Sequence, residues 1–171
     1  MKKILKIFAV VMVLALVVTV FAACGDKKEG TDEDGSADDA KGATQTWGNI
    51  TIFVPEGYTL NGGDMFDKED PDKLTLNKEG SSYDYVMVSA NFTEDEATTS
   101  IDTTKSFNDG CEDVEITAGA NTWKGVAYNA SGVDCISLYA QIGEGYVVLS
   151  SGGMSKDDAT FKTILGSITV K

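Results

Sequence analysis

The chain contains no histidine and no arginine, and all 14 of its basic residues are lysines. Without an imidazole, the Ser–His and Cys–His arrangements of nucleophilic catalysis cannot be built from its residues. Basic residues are also outnumbered by 27 Asp and Glu, for a net charge of −13. A phosphate backbone needs a basic footprint, so no nucleic-acid partner is expected. Attraction to anionic lipid headgroups is not expected either. Only three cysteines are present, at 24, 111 and 135. No two have the spacing of a CxxC redox motif, and with no His or second cysteine pair a zinc site lacks ligands.

What is present begins with the leader. Lys2, Lys3 and Lys6 give a basic start with no acidic residue. From Ile7 to Ala23 every residue except Thr19 is apolar, and after Ala22-Ala23-Cys24 the chain turns polar at Gly25-Asp26. A basic start, an apolar core and a small-residue exit is the layout of a secretory signal peptide. The lysines stay on the cytoplasmic side, which sets the orientation. Two other readings fit the same run: an uncleaved anchor, since it is just long enough to span a bilayer, or plain cleavage after Ala23.

Phe21-Ala22-Ala23-Cys24 resembles the lipobox of bacterial lipoproteins, with Phe21 standing where that pattern usually has Leu. The resemblance implies cleavage before Cys24, diacylglycerol on its sulfur and an N-acyl group such as palmitate. Residues 1–23 are then a lipoprotein signal peptide, and the mature chain is lipid-anchored on the extracytoplasmic face of the cell membrane. No other cofactor is expected. A single acyl chain anchors marginally, at ~0.8 kcal/mol per buried methylene, whereas two anchor for long times.

Without the three leader lysines, 11 Lys face 27 acidic residues, a net of −16. Residues 24–46 comprise Cys24 and a stretch with no large apolar side chain. Such a segment cannot bury enough surface to offset the entropy of ordering, so a disordered acidic linker is expected. As a flexible coil it reaches roughly 25 Å, enough to lift a domain off the surface.

Residues 47–171 have the size of one domain. Ile50, Ile52 and Val54 alternate on one face, and Pro55-Glu56-Gly57 ends that strand. Leu74 and Leu76 mark a second strand. Tyr83 to Phe92 is a third, with Val86, Val88, Ala90 and Phe92 sharing a face. Thr93 and Glu96 form a capping box for a helix that runs to about Asn108 and buries Ala97, Ile101 and Phe107. Strands follow over 114–117, 122–129, 133–142 and 146–150, with a hairpin turn at Ala130-Ser131-Gly132. Ser155 is expected to cap a closing helix that buries Phe161, Ile164, Leu165 and Ile168. The short turns favour antiparallel pairing. The class is α+β, a twisted antiparallel β-sheet with two packed helices.

This outline resembles the Mog1/PsbP-like domain. The resemblance rests on Val54-Pro55-Glu56-Gly57-Tyr58 ending the first strand, the helix after Phe92, the Trp123-Lys124-Gly125 strand, the Gly145-Tyr146 strand and the closing helix with Ile164-Leu165-Gly166-Ser167-Ile168. It implies an α/β/α sandwich that serves as a binding or assembly module, and it transfers no functional residue.

Four groups of residues are candidate sites. Cys111 and Cys135 would close a loop worth about 3 kcal/mol as a disulfide; the alternative is two buried free thiols. Asp64, Asp67, Glu69, Asp70 and Asp72 form an oxygen-rich loop that would suit Ca²⁺. Their spacing is not that of an EF-hand, and Asp70-Pro71-Asp72 equally suits a solvated turn. Ser150-Ser151-Gly152-Gly153 has neither the Lys of a phosphate loop nor the flanks of a nucleophile elbow. Tyr83, Tyr85, Tyr139 and Tyr146 share a face by parity, either as an aromatic platform for a peptide or glycan or as a second core beneath a helix. The expected function is a non-enzymatic module that binds a protein or cell-envelope component. The alternatives are a carboxylate-based hydrolase of envelope glycans and extracytoplasmic calcium binding.

Overall fold

The computed structural model describes residues 41–64 and 66–171. The leader, Cys24 and linker residues 25–40 lie outside them. Ten strands and two helices follow in the order β1 (Gly42–Trp47), β2 (Ile50–Pro55), β3 (Tyr58–Gly62), β4 (Lys73–Lys78), β5 (Tyr85–Phe92), α1 (Glu94–Phe107), β6 (Glu112–Ala118), β7 (Asn121–Ala130), β8 (Val133–Ile142), β9 (Gly145–Gly152), α2 (Ala159–Ser167) and β10 (Thr169–Val170). The class is α+β. The strands divide into two sheets, one ordered β1-β2-β10 and one ordered β3-β4-β5-β9-β8-β7-β6. Every pairing is antiparallel.

The period-two reading places the core correctly except at Phe92, which a register shift after Ser89 sets opposite Tyr146 and leaves half-buried, outside the core. Ile50, Ile52 and Val54 of β2 are buried, as are Val86, Val88 and Ala90 of β5 and Ile136, Leu138, Ala140 and Ile142 of β8. Phe161, Ile164, Leu165 and Ile168 join them, so α2 and the small sheet close one face of the large sheet over a single core. The other face carries α1, which packs on β7, β8 and β9 through Ala97 and Ile101. It leaves β3, β4 and β5 uncovered on that side among the described residues.

Local chemistry explains the joints. Thr93 Oγ1 accepts from Glu96 N while Glu96 Oε2 accepts from Thr93 N, so both halves of the capping box are made. The β7–β8 turn is Ser131-Gly132, both with positive φ, which fits the twist of a two-residue hairpin. At Gly62 any side chain would meet the Trp47 indole. That ring lies over the glycine and donates through Nε1 to the Asp70 carbonyl at 3.0 Å.

Four further expectations need correction. The linker ends earlier than its composition suggests, because Gly42–Trp47 forms β1. That strand is almost wholly exposed and is held by main-chain pairing to β2, so apolar content gives no sign of it. Phe107 is 83% exposed, because α1 needs only a narrow contact with the sheet. The closing helix is capped by Asp158 and not Ser155: Asp158 Oδ1 accepts from Phe161 N at 2.9 Å, while Ser155 serves the preceding turn. β3 and β10 were not expected as strands; both are short and sit at sheet edges.

Candidate functional site

The acidic loop is occupied by its own chain. Lys73 Nζ lies 2.8 Å from Asp64 Oδ2 and 3.1 Å from Asp70 Oδ2, where a cation would sit. Asp64 Oδ1 also accepts from the amides of Phe66 and Asp67, Asp67 Oδ1 from Glu69 N, and Asp70 Oδ1 from Asp72 N. Asp72 Oδ1 accepts from Asn49 and Asn91, tying the β1–β2 turn to the end of β5. These carboxylates hold a turn together. Among the described residues no three acidic or thiol groups converge on a common point, and Asp64 and Asp70 of the Asp64, Asp67, Glu69, Asp70 and Asp72 set are engaged by Lys73.

The Lys73 ammonium, with the two amides, lowers the Asp64 carboxyl from 3.8 to about 2. A carboxylate depressed in the fold stabilises it fully above its unfolded pKa and loses that contribution as pH falls through the folded value. The loop contacts are therefore expected to persist at pH 4 and to fail near pH 2, and the ¹³C carboxyl shift of Asp64 tracks this directly.

Cys111 and Cys135 are free thiols. Cys111 immediately precedes β6, whose Glu112 pairs with Ala127 of β7, and Cys135 of β8 pairs with Tyr128 of β7. β7 thus runs between β6 and the strand that carries Cys135. Burial raises the Cys135 thiol pKa. A thiol reagent is expected to label both residues in the denatured chain without prior reduction, and Cys135 is expected to react slowly in the native one.

The tyrosines divide. Tyr139 and Tyr146 lie under the α1 side of the sheet with ring centroids 6.3 Å apart. Tyr85 lies against Gly152 on the same face but beyond the helix. Tyr83 precedes β5 and is exposed. The four do not form one platform. Ser151 faces the core with an unpartnered hydroxyl, and Ser150 faces α1, so the Ser-Ser-Gly-Gly stretch is the end of β9.

What sequence reading missed is a groove between α1 and the edge of the large sheet. It has a volume of about 400 Å³. Helix α1 contributes Thr98, Ile101, Asp102 and Lys105; β6 contributes Asp113, Val114 and Glu115; β7 contributes Lys124, and Tyr139 of β8 closes one side. Lys105 Nζ lies 2.7 Å from Asp113 Oδ1, which raises the lysine pKa. Lys124 stands opposite Glu115 in register, 3.9 Å away. The alternation of Asp113 and Glu115 with Val114 and Ile116 marks an exposed strand face. The passage of α1 above it depends on helix packing and has no sequence signal. Every carboxyl among the described residues with a displaced pKa (Asp64, Asp70 and Glu96) is displaced downward by hydrogen-bond donors.

The chain matches no family model and no curated protein sequence. Among solved structures it is similar to a crystal structure from Bacteroides thetaiotaomicron VPI-5482, with 11% identity and a TM-score of 0.42. The similarity covers 77% of this chain and 48% of that one, so this chain spans about half the length of the protein it matches. Among the described residues no helix is long and apolar enough to cross a membrane.

Proposed function

We propose that the chain is an extracytoplasmic lipoprotein, anchored through diacylglycerol on Cys24, whose domain binds a protein or cell-envelope component without transforming it. The observation that carries the binding half is the α1–β6 groove, a concavity of about 400 Å³ at a sheet edge whose lining includes Asp102, Asp113 and Glu115. Four of its charged groups are engaged by counter-charges, Lys105 with Asp113 and Lys124 with Glu115. That arrangement suits recognition by exchange of ion pairs.

A glycan hydrolase would need one carboxyl held protonated near neutral pH beside an ionised one. The Mog1/PsbP-like grouping is also our inference. A helix on each face of the large sheet supports it, together with Val54-Pro55-Glu56-Gly57-Tyr58 leading from β2 into β3.

Crosslinking in intact cells tests the binding reading. The full chain is expected to recover an envelope component that a control carrying only residues 1–46 does not. Equal recovery from both would overturn it.

A further inference from the structure

We propose that β6 is a docking edge that accepts an extended, cationic segment of a partner protein as an eighth strand of the large sheet. This rests on the binding reading above and specifies its site and ligand class.

Three observations lead there. β6 is a terminal strand, hydrogen-bonded to β7 alone, and no backbone group of Glu112–Ala118 has another backbone partner among the described residues. An edge in that state offers main-chain donors and acceptors to an incoming strand. Next, a cavity lies on each side of it. The groove beneath α1 takes in Asp113, Val114 and Glu115. A second cavity of about 330 Å³ on the α2 side shares those three residues and adds Lys156, Asp157 and Lys162. A bound strand sends alternate side chains to opposite faces, so both cavities would be filled by one extended peptide. Finally, the strand itself carries Glu112, Asp113 and Glu115 and no basic residue, each carboxylate meeting a lysine of another element (Lys156, Lys105 and Lys124) that an incoming cation would exchange with. A second copy of this edge would oppose like charges and be rejected, whereas a cationic segment is attracted.

The opposite edge, β3, is a weaker candidate. It has five residues against the seven of β6, and Trp47 closes over Gly62 at its end.

The test uses the full chain in detergent and a fluorescent peptide of about eight residues alternating Lys and Thr. Binding at low salt is expected, with amide-exchange protection appearing over β6. N-methylating the amides on one edge of the peptide is expected to weaken binding by about tenfold or more, and on the other edge by less than about twofold, because only one edge bonds to the sheet. Asp113→Lys combined with Glu115→Lys is expected to weaken binding by about tenfold. The milder pair Asp113→Asn and Glu115→Gln, with an unchanged melting temperature, guards against misfolding. Equal losses from the two N-methylated peptides, protection away from β6, or no binding at millimolar peptide would each overturn strand addition. If the peptide fails while intact-cell crosslinking still recovers a component, strand addition falls and the binding reading stands. If both fail, both readings fall.

Discussion

Trp123→Ala is expected to cost the domain about 3–5 kcal/mol, the range for deleting a fully buried indole. Trp123 is completely buried on the core face of β7, paired in register with Ile116 of β6. It belongs to the cluster that joins the large sheet to α2 and the small sheet. Its loss leaves a void that rigid strands on both sides cannot close. A small domain has about 5–15 kcal/mol of total stability, so the variant is expected to be largely unfolded at modest urea concentrations. Trp123→Phe makes an informative contrast. The indole Nε1 is buried without a hydrogen-bond partner. Removing such a donor relieves a penalty of about 1–3 kcal/mol, which offsets part of the lost volume. Urea denaturation is expected to place Trp123→Phe much closer to the parent than to Trp123→Ala. Equal losses from the two would show that the indole is not packed as described.

Cys24→Ser is expected to have an all-or-none effect. If Cys24 carries the lipid, cells fed radioactive palmitate label the parent chain and leave the variant unlabelled. Cys111→Ser and Cys135→Ser should keep the label, since their sulfurs lie in the folded domain, Cys135 buried within it. Fractionation alone is a weaker readout, because an uncleaved leader with its 7–23 apolar run can also hold a chain at the bilayer. Mass resolves that ambiguity. The parent is expected to lose residues 1–23 and gain acyl mass, whereas the variant keeps the leader or is cut without lipid.

The core was legible in the sequence wherever burial and periodicity coincide. Alternation in β2, β5 and β8 and the helical spacing of Phe161, Ile164, Leu165 and Ile168 each predicted buried faces that the fold contains. Thr93 and Glu96 marked the start of α1 for the same reason, a local interaction between near neighbours. β1 was hidden because an exposed edge strand draws on main-chain hydrogen bonds, to which Gly42–Thr46 contribute regardless of side chain. Phe107 misled because an apolar residue at helical spacing is buried only where a partner surface reaches it, and α1 touches the sheet over a short length. The acidic loop was ambiguous since carboxylates that cap turns and carboxylates that bind metal have the same composition. Lys73, three residues beyond Asp70, reaches both Asp64 and Asp70 only once the loop is folded. The groove was invisible for a different reason. Lys105 lies in α1 and Asp113 in β6, and they meet because the chain turns back after Asn108.

Binding at the β6 edge is tested most directly by site-specific photocrosslinking in intact cells. A photoreactive side chain placed at Glu115, on β6, is compared with one at Thr59, exposed on the opposite edge in β3. The expected result is an adduct with an envelope component from position 115 and none from position 59. Adducts from position 59 alone, or from neither, would contradict it.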